Sequence, residues 1–366
     1  MSAFTGDVAL VLASSTGGVG QHVSSLTRGL LAGGATVTVC GPADTDERFG
    51  FAKAGARFEA VEIPPNPRLT DARAVGDLRR AIGTVDVVHA HGLRAGFVAA
   101  LCRPRPPLVV TWHNAVLAAG LRGAASRLVE RVVARTAQIS LGASDDLVSR
   151  AADVGARDAR LCPVAAPALP PPRRSRAAVR AEFAVEPERP LVLSVGRLHP
   201  QKRYDILIDA AARWRELRPA PLVVIAGTGP AYMSLAQSIS AARAPVTLLG
   251  HRNDVSDLLA GADLAVVTSD WEARQLFAQE ALEAGVPLVA TAVGGVPGLV
   301  KDAARLVPPG DVDAVDAAVR ELLADPALRA EYARRGPVQA ATWPNEADTV
   351  AAVQAVYAEV VAAQPR

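Results

Sequence analysis

Short apolar runs alternate with amphipathic helical patterns along nearly the whole 366-residue chain, and that alternation constrains the fold more than any other feature. Strands are expected at residues 8–13, 36–40, 58–63, 85–90, 108–112 and 139–141, with helices at 20–31, 71–82, 93–101, 122–136 and 144–154 between them. The strand candidates are apolar almost throughout rather than on alternate positions. Such runs belong to parallel strands covered by helices on both faces. The pattern then breaks. Between 163 and 190 stand Pro163, Pro167, Pro170, Pro171, Pro172, Pro187 and Pro190, with a basic cluster at Arg173, Arg174 and Arg176. This stretch reads as a linker holding one short helix near 175–183, its basic residues a solvated helix start.

Alternation resumes with strands expected at 191–195, 222–226, 246–249, 264–268, 288–291 and 305–307. Helices are expected at 204–217, 231–242, 255–259, 277–284, 312–323, 326–335 and 345–363. The chain therefore reads as two doubly wound halves, residues 1–165 and 190–344, joined by a linker at 166–189. Ligands of such sheets sit beyond the carboxyl ends of the strands, and a cleft between two such domains is the default site.

Composition excludes several alternatives. The chain is 50% hydrophobic, 21% charged and carries a net charge of +2, which suits two globular cores and offers no footprint for bulk nucleic-acid binding. Cys40, Cys102 and Cys162 are too few and too scattered for a disulfide framework or zinc ribbon, so they read as small buried apolar residues. The first residues lack a basic start and apolar core, and no apolar run approaches the ~20 residues of a membrane span. A cytoplasmic protein is the expectation. Arg127, Arg131 and Arg135 repeat every fourth residue, a stripe suited to peripheral contact with an anionic membrane or, more simply, to solvent, with Glu130 on the same solvated face.

Four segments can carry chemistry. After the first strand, Gly17, Gly18 and Gly20 let the backbone turn closely at a helix N-terminus, although Val23 occupies the third position of a dinucleotide fingerprint. His89, His91 and His113 lie at strand carboxyl ends. The His-x-His pair raises zinc, but no neighbouring cysteine or carboxylate completes a set, so no metal is expected. Arg197 and Lys202 flank a strand-to-helix turn, where two cations can hold a diphosphate and the charge it develops on leaving; Gly227 opens another glycine turn. Finally, Glu272 and Glu280 bracket the start of a helix after an apolar strand, an arrangement able to bind sugar hydroxyls beside phosphate, which an ordinary surface helix would also show.

In this order, the glycine loop, His-Ala-His-Gly, Thr-Trp-His-Asn, Gly-Arg-Leu with Gln-Lys, and Glu-x7-Glu resemble the retaining glycosyltransferases of family 4, with the GT-B fold. The resemblance spans essentially the whole chain. It implies two facing α/β domains: an acceptor-side domain at 1–165, onto which the helix at 345–363 returns, and a donor domain at 190–344. It also implies transfer of a hexosyl unit from a UDP- or GDP-sugar to an acceptor hydroxyl, without a metal or other cofactor. By resemblance Arg197 and Lys202 hold the donor diphosphate, Glu280 the ribose, and Glu272 the hexose. His113 lies near the anomeric centre, and Gly18, Gly227, Arg274, Gln275 and Leu276 line the donor.

The chain departs from the family at Ala273-Arg274-Gln275, where a Gly-Phe-Gly or Gly-Phe-Pro segment is usual, and at Pro297-Gly298, where Pro-Glu is usual. A binding protein that no longer transfers, a sugar-nucleotide epimerase of the same fold, and a NAD-dependent oxidoreductase built on Gly18 and Gly20 with Asp44 or Asp46 are the rival readings.

Overall fold

The computed structural model describes residues 3–364 apart from 16, 65–70, 104–105 and 116–119, together with the side chains of 121 and 122. The described chain divides into two units, Met1–Ala166 with Pro344–Arg366, and Pro167–Trp343.

The first unit runs β1 (Asp7–Leu12), α1 (Gly18–Ala32), β2 (Thr36–Gly41), α2 (Ala43–Phe49), β3 (Arg57–Ala60), α3 (Asp71–Ile82), β4 (Val87–His91), α4 (Leu93–Leu101), β5 (Leu108–Trp112), α5 (Gly120–Thr136), β6 (Ile139–Gly142), α6 (Asp145–Asp153) and β7 (Ala159–Leu161). Its seven strands are all parallel, in the order β3-β2-β1-β4-β5-β6-β7. The order reverses between β1 and β4, where the register sets Leu12 beside His91. The chain leaving β1 turns one way, towards β2, and the chain leaving β4 turns the other, towards β5, which opens a crevice at their carboxyl ends.

The second unit contains α7 (Arg176–Glu182), β8 (Leu191–Val195), α8 (Tyr204–Arg213), β9 (Leu222–Ala226), α9 (Tyr232–Ala242), β10 (Val246–Gly250), α10 (Val255–Gly261), β11 (Leu264–Val267), α11 (Leu276–Glu283), β12 (Leu288–Thr291), α12 (Val296–Val300), β13 (Arg305–Val307), α13 (Val312–Ala324) and α14 (Pro326–Ala340). The strand order is β10-β9-β8-β11-β12-β13, again parallel, with its reversal between β8 and β11. Successive residues of each strand enter different cores. Leu191, Leu193, Val224, Ala226, Ala265 and Val267 pack with α7, α10, α11 and α12. Their neighbours Val192, Val223, Ile225, Leu264 and Val266 pack with α8, α9 and α13 on the opposite face. A strand period of two therefore feeds two apolar layers, which is why these runs read as continuously hydrophobic.

The chain ends in α15 (Glu346–Ala362), which belongs to the first unit and packs on α1 and β4. Asn345 and Asp348 cap it reciprocally: each side chain accepts from the other's backbone N–H at 3.0 Å. Tyr357, Val353, Val356 and Val360 are buried in the first unit's core.

Several local readings change. Three short elements, α2, β7 and α12, were not expected; each is seven residues or fewer and too brief for a clear period. α14 runs through Gly336-Pro337 rather than stopping at 335, and Gln339 and Trp343 then both donate to the Leu299 carbonyl, at 3.0 and 3.1 Å. The basic cluster at 173–176 is a solvated helix start, capped by Ser175 with Arg173 and Arg176 exposed, but its charges are also engaged. Arg174 pairs with Glu182 at 2.6 Å, Arg176 pairs with Asp263, and the Arg173 N–H donates to Asp257, so this segment is fastened to the second unit. Glu130, by contrast, is not on a solvated face. It is 1% exposed and receives the Arg150 guanidinium at 2.8 Å, because α5 turns that side toward α6; Arg127, Arg131 and Arg135 remain exposed. Among the described residues, no helix is long and apolar enough to cross a membrane. The three cysteines are free and buried.

Candidate active site

The second unit brings Lys202 and Glu272 together at the reversal of its sheet. Lys202 ends a single 3₁₀ turn, Pro200–Lys202, that follows β8, while Glu272 lies in the loop after β11. Their charged ends meet at 2.5 Å, and the Ser269 hydroxyl donates to the same Glu272 oxygen at 2.6 Å. The two loops are laced together. The Thr268 hydroxyl reaches the Lys202 and Arg203 carbonyls at 3.0 and 2.9 Å, and the Asp270 N–H donates to the Gln201 carbonyl at 2.8 Å. Gln201 in turn donates to the Trp271 carbonyl at 2.7 Å, and Arg203 pairs with Asp270 at 2.9 Å. Both ends of the pair are thus positioned by short, satisfied loops rather than by their own flexible stems.

Arg197, five residues before Lys202, is exposed and has no ion pair among the described residues. Gly227 directly follows β9 with φ +153°, and a Cβ there would stand 1.9 Å from the Gly196 carbonyl oxygen. Its glycine is required by the contact between the two loops, a reason independent of any ligand.

The segment after Glu272 divides by role. Gln275 is buried, and its side-chain oxygen caps α11 by accepting from the Phe277 N–H at 3.0 Å, so at least that atom is committed to the helix. Leu276 is 36% exposed. Arg274 is enclosed without a carboxylate partner. It donates to the Gln279 side chain at 3.2 Å and lies 5.9 Å over the Trp343 ring, its Nε has no partner, and burial lowers its pKa to about 10. Glu280, half-buried on α11, has its pKa raised to about 7, mainly by burial and further by Glu283. Among the described residues Glu280 forms no ion pair with Lys202 or Arg274, so the two acids of the motif hold separate positions.

In the first unit, Gly18 begins α1, and a Cβ on Gly17 or Gly18 would meet nothing within 4 Å; Thr16 of the same loop lies outside the described residues. Gly20 differs, since a Cβ there would strike the Phe49 ring at 2.1 Å. Val23, in the third fingerprint position, is fully buried in the core. His113 follows β5 and is 8% exposed. It stands 3.2 Å, Nε2 to Nδ1, from His91 at the end of β4, and His22 of α1 is the third member of the group.

His89 is engaged elsewhere, 2.7 Å from both the Tyr357 and Thr111 hydroxyls. Burial lowers every one of these pKa values, His22 to about 4 and His89 to about 3, with His91 and His113 well below the ordinary range; His91 and His113 are lowered further by neighbouring histidines. His22 escaped the sequence reading. It lies on a helix, and only the adjacency of β1 and β4 brings it to the strand-end histidines.

Comparison with known proteins agrees with this architecture. Residues 17–167 match the glycosyl transferase 4-like domain and residues 175–339 match glycosyl transferases group 1. The chain is 34% identical over 310 residues to the D-inositol 3-phosphate glycosyltransferase of Geodermatophilus obscurus, covering 77% of this chain and 68% of that one. It is 33% identical over 333 residues to the Mycobacterium leprae protein of the same name, covering 81% and 76%. Among solved structures, sucrose-phosphate synthase from Thermosynechococcus elongatus superposes with a TM-score of 0.79 at 20% identity, over 98% of this chain and 100% of that chain. Anabaena HepE in complex with UDP-glucose gives the same four values and, like the synthase, speaks to the fold alone. Two parallel α/β units in this order, matched by both domain models and by relatives more than 30% identical over most of the chain, place the chain among the family 4-type glycosyltransferases of GT-B fold.

Proposed function

We propose that this glycosyltransferase moves a hexosyl unit from a nucleoside diphosphate sugar to an acceptor hydroxyl, with retention of configuration and with Arg197 and Lys202 in place of a metal at the diphosphate. The observation that carries the proposal is the laced Lys202–Glu272 pair at the sheet reversal, beside an exposed, unpaired Arg197. An arriving diphosphate competes for the Lys202 ammonium and releases Glu272 to accept hydrogen bonds from hexose hydroxyls. The bond from the anomeric carbon to the departing phosphate oxygen breaks on the face where the acceptor oxygen attacks. The departing phosphate takes the acceptor's proton, and the two cations stabilise its growing charge. Glu280 takes the ribose, and His113 serves near the anomeric carbon.

A uridine nucleotide is the first donor to test, since HepE is described in complex with UDP-glucose. D-inositol 3-phosphate is the first acceptor, as named in the relatives at 33–34% identity.

Thermal unfolding with UDP, GDP, ADP, dTDP and NAD, each with and without magnesium, tests the donor site. A ligand at ~100 times its dissociation constant adds about 2.7 kcal/mol of stability. The expected result is a magnesium-independent shift with one nucleoside diphosphate that Arg197→Ala abolishes. UDP-glucose turnover with chelator present and an anomeric NMR assignment of the product then test metal independence and retention. A shift with NAD alone, or turnover only with magnesium, would overturn the respective part.

A further inference from the structure

Three histidines of the first unit meet where its sheet reverses, and no hydrogen bond among the described residues accounts for the group as a whole. We infer that His22, His91 and His113 form a binding site for a divalent transition-metal ion of the Zn²⁺ class, with an oxygen ligand completing four-coordination; this reading makes His113 a ligand in place of its role near the anomeric carbon, and leaves the two cations at the diphosphate as proposed.

The ring positions carry the inference. Three imidazoles bound to one zinc at ~2.0–2.1 Å have ring centroids roughly 5.1–5.5 Å apart. Here the His22–His91, His22–His113 and His91–His113 centroids are 5.4, 5.4 and 5.5 Å apart. One ring nitrogen from each residue falls within 4.8 Å of the other two. His91 Nδ1 and His113 Nε2, at 3.2 Å, already stand near the ~3.3 Å edge of a tetrahedral zinc–nitrogen set.

The environment agrees with the geometry. His22, His91 and His113 are 6%, 2% and 8% exposed, so an ion among them would be shielded from bulk water. An all-nitrogen set favours zinc, cobalt, nickel or copper over magnesium and calcium, which require oxygen ligands. The notion of a missing cysteine or carboxylate falls away, because the completing ligand is a histidine from α1.

The test uses the full chain, stripped with a chelator and titrated with Zn²⁺ against a chromophoric competitor, and with Co²⁺ followed by its visible absorption. One equivalent of Zn²⁺ is expected to bind, Mg²⁺ not to compete, and bound Co²⁺ to show the intense absorption of a four-coordinate site. His91→Ala and His22→Gln should each weaken Zn²⁺ binding at least about tenfold, while His251→Ala, at an exposed position, should leave it unchanged. Circular dichroism confirms folding, and His22→Gln, which keeps α1 and nearly the same volume, decides the matter where His91→Ala does not fold. Absence of stoichiometric binding by the parent chain, or equal binding by parent and His22→Gln, would overturn the site. Binding is read without a transfer assay, so this result and the failure of the proposed reaction are separable.

Discussion

Glu280 is a carboxyl whose surroundings hold it near half-ionisation at neutral pH. Its pKa of about 7 arises from burial and from Glu283, and the ionised form accepts charge-assisted hydrogen bonds from ribose hydroxyls on both oxygens, far stronger than those to the neutral acid. Affinity for UDP-glucose, which has no group titrating in this range, should therefore rise about tenfold between pH 6 and pH 8. Calorimetric titration at several pH values checks this, and Glu280→Gln should flatten the profile. The linked stability effect has the opposite sign. The folded chain keeps a proton that the unfolded chain has lost, so stability falls as pH rises from about 4.5 to about 7 and the deficit is complete above that.

Arg274 makes a second case. It is a cation with a neutral partner and an orphaned Nε, placed just before α11, whose amide end favours negative charge. Arg274→Met should raise the melting temperature of the free protein yet weaken UDP binding roughly tenfold or more, the worth of a charge-assisted hydrogen bond. A loss of both stability and affinity would instead mark Arg274 as a packing residue.

At the scale of elements, the long parallel strands were legible because residues buried on both faces leave a continuous apolar run. β5, β8, β9, β12 and β13 begin and end where the sequence pattern set them. What escaped depended on contacts distant in sequence. Lys202 and Glu272 are 70 positions apart, and their pairing follows from β8 and β11 being neighbours, which no local pattern encodes. His22 was missed for the same reason. Gln275, read as a donor contact, also caps a helix through its side-chain oxygen, a use visible only once the start of α11 is placed.

The turn after β12 shows how an unremarked element governs the site. Gly294 adopts φ +51°, a Cβ there would lie 2.1 Å from the Glu272 carbonyl oxygen, and the adjacent Gly295 N–H donates to that oxygen at 2.9 Å. Gly294→Ala is expected to cost about 1–3 kcal/mol in backbone strain and to push the Glu272 loop aside. Turnover should drop further than UDP affinity, which steady-state kinetics beside calorimetry would resolve. An unchanged turnover number would show that the loop absorbs the extra methyl group.

At the scale of the whole molecule, the last 23 residues belong with the first 166. Val353, Val356, Tyr357 and Val360 are buried in the first unit's core, the Tyr357 hydroxyl meets His89 Nδ1 at 2.7 Å, and Glu359 pairs with Arg160 at 2.6 Å. Burying each of these apolar side chains contributes about 1.5–3 kcal/mol, so their joint loss rivals the ~5–15 kcal/mol that holds a domain folded. A chain ending at Trp343 should therefore lose the fold of its first unit and keep that of its second. The segment 167–343 contains Arg197, Lys202, Glu272, Arg274 and Glu280, so expressed alone it should fold and retain UDP binding. Hydrogen exchange on the truncated chain and nucleotide titration of the isolated segment read the two halves separately. Protection persisting through β1, β4 and α1 after truncation would show that α15 is dispensable to that core. A folded 167–343 segment that ignores UDP would show that the second unit's residues do not suffice for the donor.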